Sequence, residues 1–361
     1  MRHLLKHSSN VCIPDSGGKT PLHWAASARA PDAQAARETT SIVRLFREEA
    51  PSVVNWPDYE GRTGLHVAIA EGNTHIVATL IREEECNVNA MDNMFRTPLH
   101  WAAALGRTQV VNMLLTPRKI GDGVEPVITK SASQLGGVAA TSSSSTTTGA
   151  DWSTSDANGA TPLHYAAQNN YDGTVFAFLS HEGVTDIPDL EGRTALMWAA
   201  CEGADDVVRT MISGGSDVGA TDKTGGTALH VAAFAGKTST VHLLVGLGAP
   251  VDGTDLAGHT PLFRACQQGH LMTVQTLLEA KARVDVTDTA GRTPLHWAGL
   301  SGHGPIARLL IKHGLSPNHY DHSGRAPLHC AAFGGFVNCL SVLLESGADV
   351  NSQVVISAIP Q

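Results

Sequence analysis

The sequence of 361 residues contains no apolar run long enough to cross a membrane as a helix, and its start, MRHLLKHSSN, lacks the apolar stretch of a signal peptide. Aromatic residues are only 5% of the chain. The sequence shows no strand pattern, so it predicts no strand that could carry a glycine-rich phosphate loop. These absences argue against a membrane span, a secreted product and a nucleotide-binding enzyme.

Positive charge and cysteine are also scarce. The chain has 25 Lys and Arg against 34 Asp and Glu, a formal net charge of −9, which argues against nucleic acid as the default partner. Its six cysteines include no CxxC pair. We interpret them as small buried thiols in a reducing compartment.

What the chain does contain is an internal repeat. The Thr of the phrase GRTPLHWAGLSGH, residues 291–303, recurs every 33 residues from the fourth copy onward and at longer steps before it. The nine positions are Thr20, Thr63, Thr97, Thr161, Thr194, Thr227, Thr260, Thr293 and, in the last copy, Ala326. An Asp precedes each position by five residues, and a Gly precedes all but one by two residues, where Phe95 stands instead. This periodicity predicts a repeat architecture.

Each copy predicts a turn followed by two helices. The Asp can accept a backbone N–H two residues on, and the Gly supplies the positive φ of a tight turn. The Thr is placed to cap the first helix with its hydroxyl, and the Pro that often follows suits the first helical position. Apolar pairs such as Leu310 and Ile311 mark the second helix. One copy cannot bury its apolar face alone, so the copies must stack.

The T-P-L-H-x-A signature and the 33-residue period resemble the ankyrin-repeat family. The resemblance implies an all-α ankyrin-repeat solenoid of about nine helix-turn-helix repeats with hairpin-like turn tips. It also implies protein–protein recognition on a concave face. Because Met197 and Phe263 replace the phrase histidine in two copies, we expect that histidine to be structural rather than catalytic.

We expect one solenoid domain with two interruptions. The expected segments are the tail of a preceding partial repeat (1–14), repeats one to three (15–115), a Ser/Thr-rich disordered excursion (116–155), repeats four to nine (156–351) and a non-repeat tail (352–361). The excursion buries too little apolar surface to offset its ordering entropy. A shorter insertion, residues 27–40, lengthens repeat one. Since neither end has a polar capping repeat, we expect the chain to be the middle of a longer protein.

No catalytic or metal site is predicted. Thr, His and Asp are the only recurring polar residues, and the turns and helix caps already occupy them. The remaining histidine cluster, His313, His319 and His322, fits no standard zinc spacing. We therefore expect no enzyme activity, no cofactor, no metal and no small-molecule ligand.

The variable positions of the expected concave face are candidate partner contacts. A basic stripe directly precedes the repeated Thr: Arg62, Arg96, Arg193, Arg292 and Arg325. These arginines either contact an acidic partner or pair with the nearby Asp.

Large apolar residues follow the Thr by seven positions in the later repeats: Phe234, Leu300 and Phe333. They either face a partner or pack sideways on the next repeat. Four tryptophans between these positions are interpreted as core: Trp24, Trp101, Trp198 and Trp297.

One branch of the ankyrin family is more closely similar. Inversin-like scaffolds have a central ankyrin array resembling NWPDYEGRTGLH, DNMFRTPLHWAA and GGFVNCLSVLLESGADVN, which occur here in this order within residues 4–351. The resemblance implies a cytoplasmic scaffold associated with cilia or the cytoskeleton and with Wnt signalling. Its implied partners are of the nephrocystin or Dishevelled type. The alternative is a regulatory array of a larger enzyme or channel whose catalytic part lies outside this sequence.

Overall fold

The computed structural model describes residues 13–28, 33–49, 51–82, 85–116 and 149–352. Within these ranges the chain is helical, with turns between the helices and no strand. It divides into two compact units, Met1–Pro162 and Leu163–Gln361. The predicted fold class is confirmed: the chain is an all-α ankyrin-repeat solenoid built from helix-turn-helix repeats.

The first unit carries repeats one to three. Its first helices are Pro21–Ser27, Gly64–Glu71 and Pro98–Ala104. Its second helices are Ala33–Glu49, Thr74–Leu80 and Thr108–Leu115. The second helix of repeat one is 17 residues long and begins inside the expected insertion, so the described part of that insertion is helical. A short 3-10 helix, Pro51–Asn55, follows it.

The second unit carries repeats four to nine. Its first helices are Pro162–Gln168, which begins one residue before the unit boundary, Ala195–Glu202, Ala228–Phe234, Pro261–Gln268, Pro294–Leu300 and Pro327–Phe333. Its second helices are Asp172–Leu179, Asp205–Ser213, Thr238–Gly246, Leu271–Glu279, Gly304–Lys312 and Val337–Glu345. No helix in the described ranges combines the length and the apolar character that spanning a bilayer requires.

Each first helix contributes one buried Leu to the core, in most repeats beside small buried residues, and the second helices add buried Val and Leu. In repeat eight, Leu295, Ala298 and Gly299 are buried. A Cβ added to Gly299 would lie 2.9 Å from the carbonyl oxygen of Pro327 in the next first helix. The small residues therefore let adjacent helices approach closely, and a larger side chain would push the stack apart.

The turns form as predicted. In repeat eight, Oδ1 of Asp288 accepts the backbone N–H of Ala290 at 2.9 Å and that of Arg292 at 2.8 Å. Successive turn tips are joined by backbone hydrogen bonds, as from Thr289 N–H to the carbonyl of Ala257 at 3.0 Å. One carboxylate thus fixes the turn of repeat eight, and one backbone hydrogen bond joins it to the turn before.

Residues 1–12, 117–148 and 353–361 lie outside the described residues. The predicted disordered excursion and both predicted tails fall almost wholly there, and they stay predictions. The chain resumes at the exit of repeat three, where Ala150 N–H donates to the carbonyl of Leu114 at 2.8 Å.

Candidate interaction site

The phrase histidine joins two repeats. In repeat eight, Nδ1 of His296 accepts the backbone N–H of Thr293 at 3.1 Å and lies 2.9 Å from its hydroxyl oxygen. Nε2 of His296 lies 3.0 Å from the carbonyl oxygen of Arg325, in the turn of repeat nine. Because a carbonyl only accepts, Nε2 carries the proton, and Nδ1 is free to accept from both Thr293 groups. This geometry requires the neutral imidazole.

The same bridge recurs through the array. Nε2 lies 2.8–3.2 Å from a carbonyl of the following turn or segment in seven pairs: His23 with Arg62, His66 with Arg96, His100 with Ala160, His164 with Arg193, His230 with His259, His296 with Arg325, and His329 with Ser352. The histidine is structural, as expected, but sequence reasoning missed that it links neighbours. The feature of the sequence that could have indicated this link is the fixed position of the histidine, three residues after the Thr.

The Thr hydroxyl has a second partner in the repeats that carry the histidine. In repeat five, where Met197 replaces the histidine, the hydroxyl of Thr194 accepts the backbone N–H of Met197 at 3.3 Å, as predicted. In repeat eight the hydroxyl of Thr293 also lies against Nδ1 of the imidazole of His296, to which it can donate. Its lone pairs stay free to accept from the first helical turn, so the histidine adds a partner and does not replace the cap.

Burial keeps these histidines neutral. Removal from water lowers the pKa of His66, His100 and His296 from the ordinary value of 6.5 to about 4, although the carbonyl partners oppose the shift. The Thr N–H that donates to Nδ1 favours the neutral ring, since a protonated Nδ1 would place a second donor against that N–H. These side chains hold the stack together and are not available for proton transfer near neutral pH.

The turn arginines pair with the turn aspartates. In repeat eight, Nε of Arg292 donates to Oδ2 of Asp288 at 2.9 Å, and its guanidinium lies 4.4 Å from the ring centre of Trp297. The corresponding Nε–Oδ2 distances elsewhere are 2.9 Å for Arg62 with Asp58, 2.9 Å for Arg96 with Asp92, 3.0 Å for Arg193 with Asp189 and 3.0 Å for Arg325 with Asp321. Of the two alternatives for the basic stripe, pairing within the chain is therefore present. Contact with a partner stays a prediction.

The tryptophans are not core, contrary to the interpretation from sequence. Trp24 is 58% exposed, and Trp101, Trp198 and Trp297 are half-buried. The reason is polar: each indole N–H donates to the turn carboxylate, as from Trp297 Nε1 to Asp288 Oδ2 at 3.0 Å. Burial raises the pKa of Asp288, but the N–H donors of Arg292 and Trp297 outweigh it and hold that pKa below its ordinary range.

The three apolar candidates differ in exposure. Phe333 is 88% exposed and Phe234 46%, whereas Leu300 is half-buried. Phe333 lies in the last described repeat, where no following repeat covers it, whereas Phe234 has repeats on both sides. In repeat eight, Trp297 and Leu300 lie three residues apart on one helix and so share a face, with Arg292 over the indole. The structure thus brings one arginine and one apolar candidate to the same side of this repeat.

Repeat seven departs from this pattern. His259 stands where the other turns carry Arg, and the guanidinium comes from Arg264, whose Nη2 lies 2.5 Å from Oδ2 of Asp255. The His259 ring lies 3.7 Å from Asp255 and 3.5 Å from Asp288. Among the described residues, neither ring nitrogen of His259 has a hydrogen-bond partner, and the buried hydroxyl of Thr260 has none either.

In the part of the chain that the structure describes, no three His, Cys, Asp or Glu side chains are grouped to hold a metal, so His313, His319 and His322 form no such group. Cys86, Cys266, Cys330 and Cys339 are buried, whereas Cys201 is exposed and departs from the buried-thiol interpretation.

Two comparisons bear on this arrangement. A family model described as ankyrin repeats (3 copies) matches residues 33–126, 143–222, 206–288 and 273–354. Inversin of Homo sapiens and that of Mus musculus are each 48% identical over 83 residues, and inversin of Danio rerio is 47% identical over 83 residues. The aligned stretch is 22% of this chain but only 7% of the human and mouse proteins and 8% of the Danio rerio protein.

Proposed function

Because this chain belongs to the ankyrin-repeat family, we propose that it is a scaffold that binds other proteins through the face formed by its turns and first helices. The observation that carries the proposal is the 46% exposure of Phe234, which lies inside the array at the repeat position that Phe333 also occupies. Large apolar side chains left in water at a recurring position are typical of partner sites.

The arginines contribute less to this surface than their number suggests. Each one shares a carboxylate of its own turn, and the guanidinium of Arg292 is also held over Trp297. A partner does not meet an unpaired positive charge there. We infer that apolar anchors supply most of the affinity, and that Arg62, Arg96, Arg193, Arg292 and Arg325 position the partner through their remaining N–H groups.

The finer role is proposed from the relatives. The stretch that is 48% identical to human inversin supports an inversin-like adaptor, cytoplasmic and associated with cilia or the cytoskeleton. Partners of the nephrocystin or Dishevelled type, and a function in Wnt signalling, belong to the same proposal. Both rest on an alignment covering 22% of this chain.

The test is a comparison of affinity with stability. A partner is first identified by affinity capture on the full chain and then titrated against the purified chain. The double variant Phe333→Ala and Leu300→Ala should bind it at least about tenfold more weakly, because losing one anchor typically costs about 2 kcal/mol. The melting temperature should change little.

The matched control is Phe176→Ala, which removes a 64% exposed Phe from a second helix and should leave the affinity unchanged. A large fall in melting temperature of the double variant, with unchanged affinity, would show that these side chains serve packing and not binding.

A further inference from the structure

Repeat six departs from the other repeats of the second unit at its turn carboxylate. At the remaining four turns of this unit a guanidinium donates to Oδ2 of the turn aspartate: Arg193 to Asp189, Arg264 to Asp255, Arg292 to Asp288 and Arg325 to Asp321. In repeat six, Gly226 stands where most turns carry arginine, and Val231 stands where repeat eight has Trp297. Repeat six therefore has neither of the side chains that could reach its turn carboxylate.

The carboxylate of Asp222 is hydrogen-bonded through one oxygen only. Its Oδ1 accepts the backbone N–H of Thr224 at 2.8 Å, the hydroxyl of Thr224 at 2.7 Å and the backbone N–H of Gly226 at 2.8 Å. Among the described residues, no donor and no cation reaches its Oδ2. Asp222 is half-buried, whereas the other four turn aspartates of the unit are only 4–6% exposed. One charged oxygen is thus accessible at the place where the other turns hold a guanidinium.

The charges around this oxygen are balanced without it. Arg193 in the turn before and Arg264 in the turn after each form an ion pair with the aspartate of their own turn. The exposed tip residues Glu191 and Lys223 have opposite charges and are adjacent, since Lys223 N–H donates to the carbonyl of Glu191 at 3.0 Å. An incoming cation therefore meets the charge of Asp222 without an unpaired guanidinium to repel it.

The exposed Phe234 of the same repeat lies on the same face of the first helix. In repeat eight, Trp297 donates to Oδ2 of Asp288 at 3.0 Å, which places this helix position against the turn carboxylate. Its counterpart in repeat six is Val231, and Phe234 follows Val231 by three residues on the helix Ala228–Phe234. Side chains three residues apart on a helix are neighbours. Oδ2 of Asp222 and the ring of Phe234 are therefore roughly 10 Å apart on one surface.

We propose that repeat six binds an arginine of a partner protein at Oδ2 of Asp222, while an apolar residue of the same partner segment packs on Phe234. This contact presupposes the scaffold function proposed above. The partner's guanidinium takes the place over Val231 that the chain's own arginines take at the other turns. Arginine fits better than lysine, because its planar group matches a carboxylate and lies flat on an apolar surface. Since an extended chain advances about 3.3 Å per residue, the arginine and the apolar residue are about three positions apart.

Selection from a displayed peptide library tests the proposal. Random peptides of about twelve residues, which span roughly 40 Å when extended, are selected on the immobilised full chain. The selected peptides should be enriched in arginine about three positions from a large apolar residue. They are then synthesised with a fluorescent label and titrated by anisotropy. Replacing their arginine by citrulline, a neutral side chain of the same shape, should weaken binding about tenfold.

Two variants of the chain remove the acceptor in different ways. Asp222→Asn keeps an oxygen for the turn N–H groups but has no charge. Gly226→Arg supplies the guanidinium of the other turns from within the chain, so it competes with the peptide for Oδ2. Gly226 is not among the left-handed glycines, and an added Cβ would lie 3.2 Å from Oδ2 of Asp222, a contact that a shift of a few tenths of an ångström relieves. Both variants should weaken binding about tenfold and leave the melting temperature nearly unchanged.

Matched controls separate this contact from a general effect of charge. Glu279→Gln removes one negative charge from an exposed position on the second helix of repeat seven. Gly246→Arg adds an arginine to the second helix of repeat six, where an added Cβ has no neighbour within 4 Å. Both controls should bind the peptides within about twofold of the wild type, because neither position adjoins the turn.

The peptide and the chain are finally varied together. If the arginine contacts Asp222, its replacement by citrulline should cost nothing further in the Asp222→Asn chain. Peptides that show no enrichment in arginine, or that bind Asp222→Asn as tightly as the wild type, overturn the contact. In that case the scaffold function stands as long as Phe234→Ala weakens the same peptides. A library that yields no binding peptide overturns both proposals.

Discussion

Repeats seven and eight lie side by side in one unit and begin their first helices differently. In repeat eight, Thr293 and His296 share a hydrogen bond, and the imidazole continues to the next turn. In repeat seven, Phe263 takes the place of the histidine, and the hydroxyl of Thr260 is buried without a partner among the described residues. Both helices nevertheless have a Thr with extended backbone before the first helical Pro. The hydrogen-bond network therefore adds to a helix start that apolar packing already specifies.

The two repeats also differ in which residue supplies the guanidinium that pairs with the turn carboxylate. Asp288 receives its guanidinium from Arg292, four residues on, whereas Asp255 receives one from Arg264, nine residues on. In repeat seven the arginine has moved to the place where repeat eight has Trp297. Repeats seven and eight both place a cation on the turn carboxylate, and two positions of the repeat can supply it.

Acidification should produce the largest difference between the two kinds of repeat. The pKa of His66, His100 and His296 is about 4 in the folded chain and near 6.5 when unfolded, so the unfolded chain binds more protons between these values. Stability is then complete above about pH 6.5 and falls as the pH drops toward 4. At pH 5 each of these three histidines contributes a loss of about 2 kcal/mol. Burial also lowers the pKa of His23, His230 and His259, so these residues add to the loss in the same direction.

Urea denaturation at pH 7.5 and pH 5 measures this loss. The variant His296→Phe copies the arrangement of repeat seven and should reduce the loss at pH 5 by about 2 kcal/mol, since it removes one of the buried neutral histidines. An unchanged pH dependence in that variant would mean that other groups control the acid transition.

Truncating the bridge should have the next largest effect. His296→Ala removes three hydrogen bonds and leaves a cavity beside Ala298, and it should lower the free energy of unfolding by about 3 kcal/mol. His296→Phe keeps the volume filled and should cost only about half as much. His313→Ala, at an exposed position in the same unit, should cost less than about 0.5 kcal/mol.

The ranking of the two His296 variants tests whether packing or hydrogen bonding dominates at the helix start. If His296→Phe is as destabilising as His296→Ala, the polar bridge is the dominant contribution. The tolerance of Phe263 in repeat seven would then need another explanation.

Much of this arrangement can be predicted from the sequence, because it is local. The Asp and Gly of each turn and the Pro at the helix start act within a few residues, and their roles are confirmed. The bond from His296 to the carbonyl of Arg325 spans 29 residues and exists only once repeats have stacked, so no local pattern reports it. The exposure of the tryptophans has another cause, a bond within one repeat from the indole N–H of Trp297 to Asp288, nine residues earlier.

The candidate site is predictable only in part. That Phe333 is large, apolar and recurrent in position can be read from the sequence, but its 88% exposure depends on what its neighbours cover. Pairing of the stripe arginines with the turn aspartates was one of two alternatives that the sequence left open. Geometry was needed to decide between them, because four residues of spacing allow an ion pair without requiring one.

The smallest expected effect is also the most direct comparison, because the same substitution is made in both repeats. Thr293→Val removes the hydroxyl beside Nδ1 of His296, while the backbone N–H of residue 293 still reaches that nitrogen. One hydrogen bond is lost from a buried pair, and the free energy of unfolding should fall by about 1 kcal/mol.

Thr260→Val removes a buried hydroxyl that has no partner among the described residues. The free energy of unfolding should rise by up to about 1 kcal/mol, because that hydroxyl is desolvated without compensation. Urea denaturation of the two variants at pH 7.5 should therefore give changes of opposite sign. Equal losses at both positions would mean that the hydroxyl of Thr260 is hydrogen-bonded in solution, through an ordered water, and that repeat seven satisfies its helix start as fully as repeat eight does.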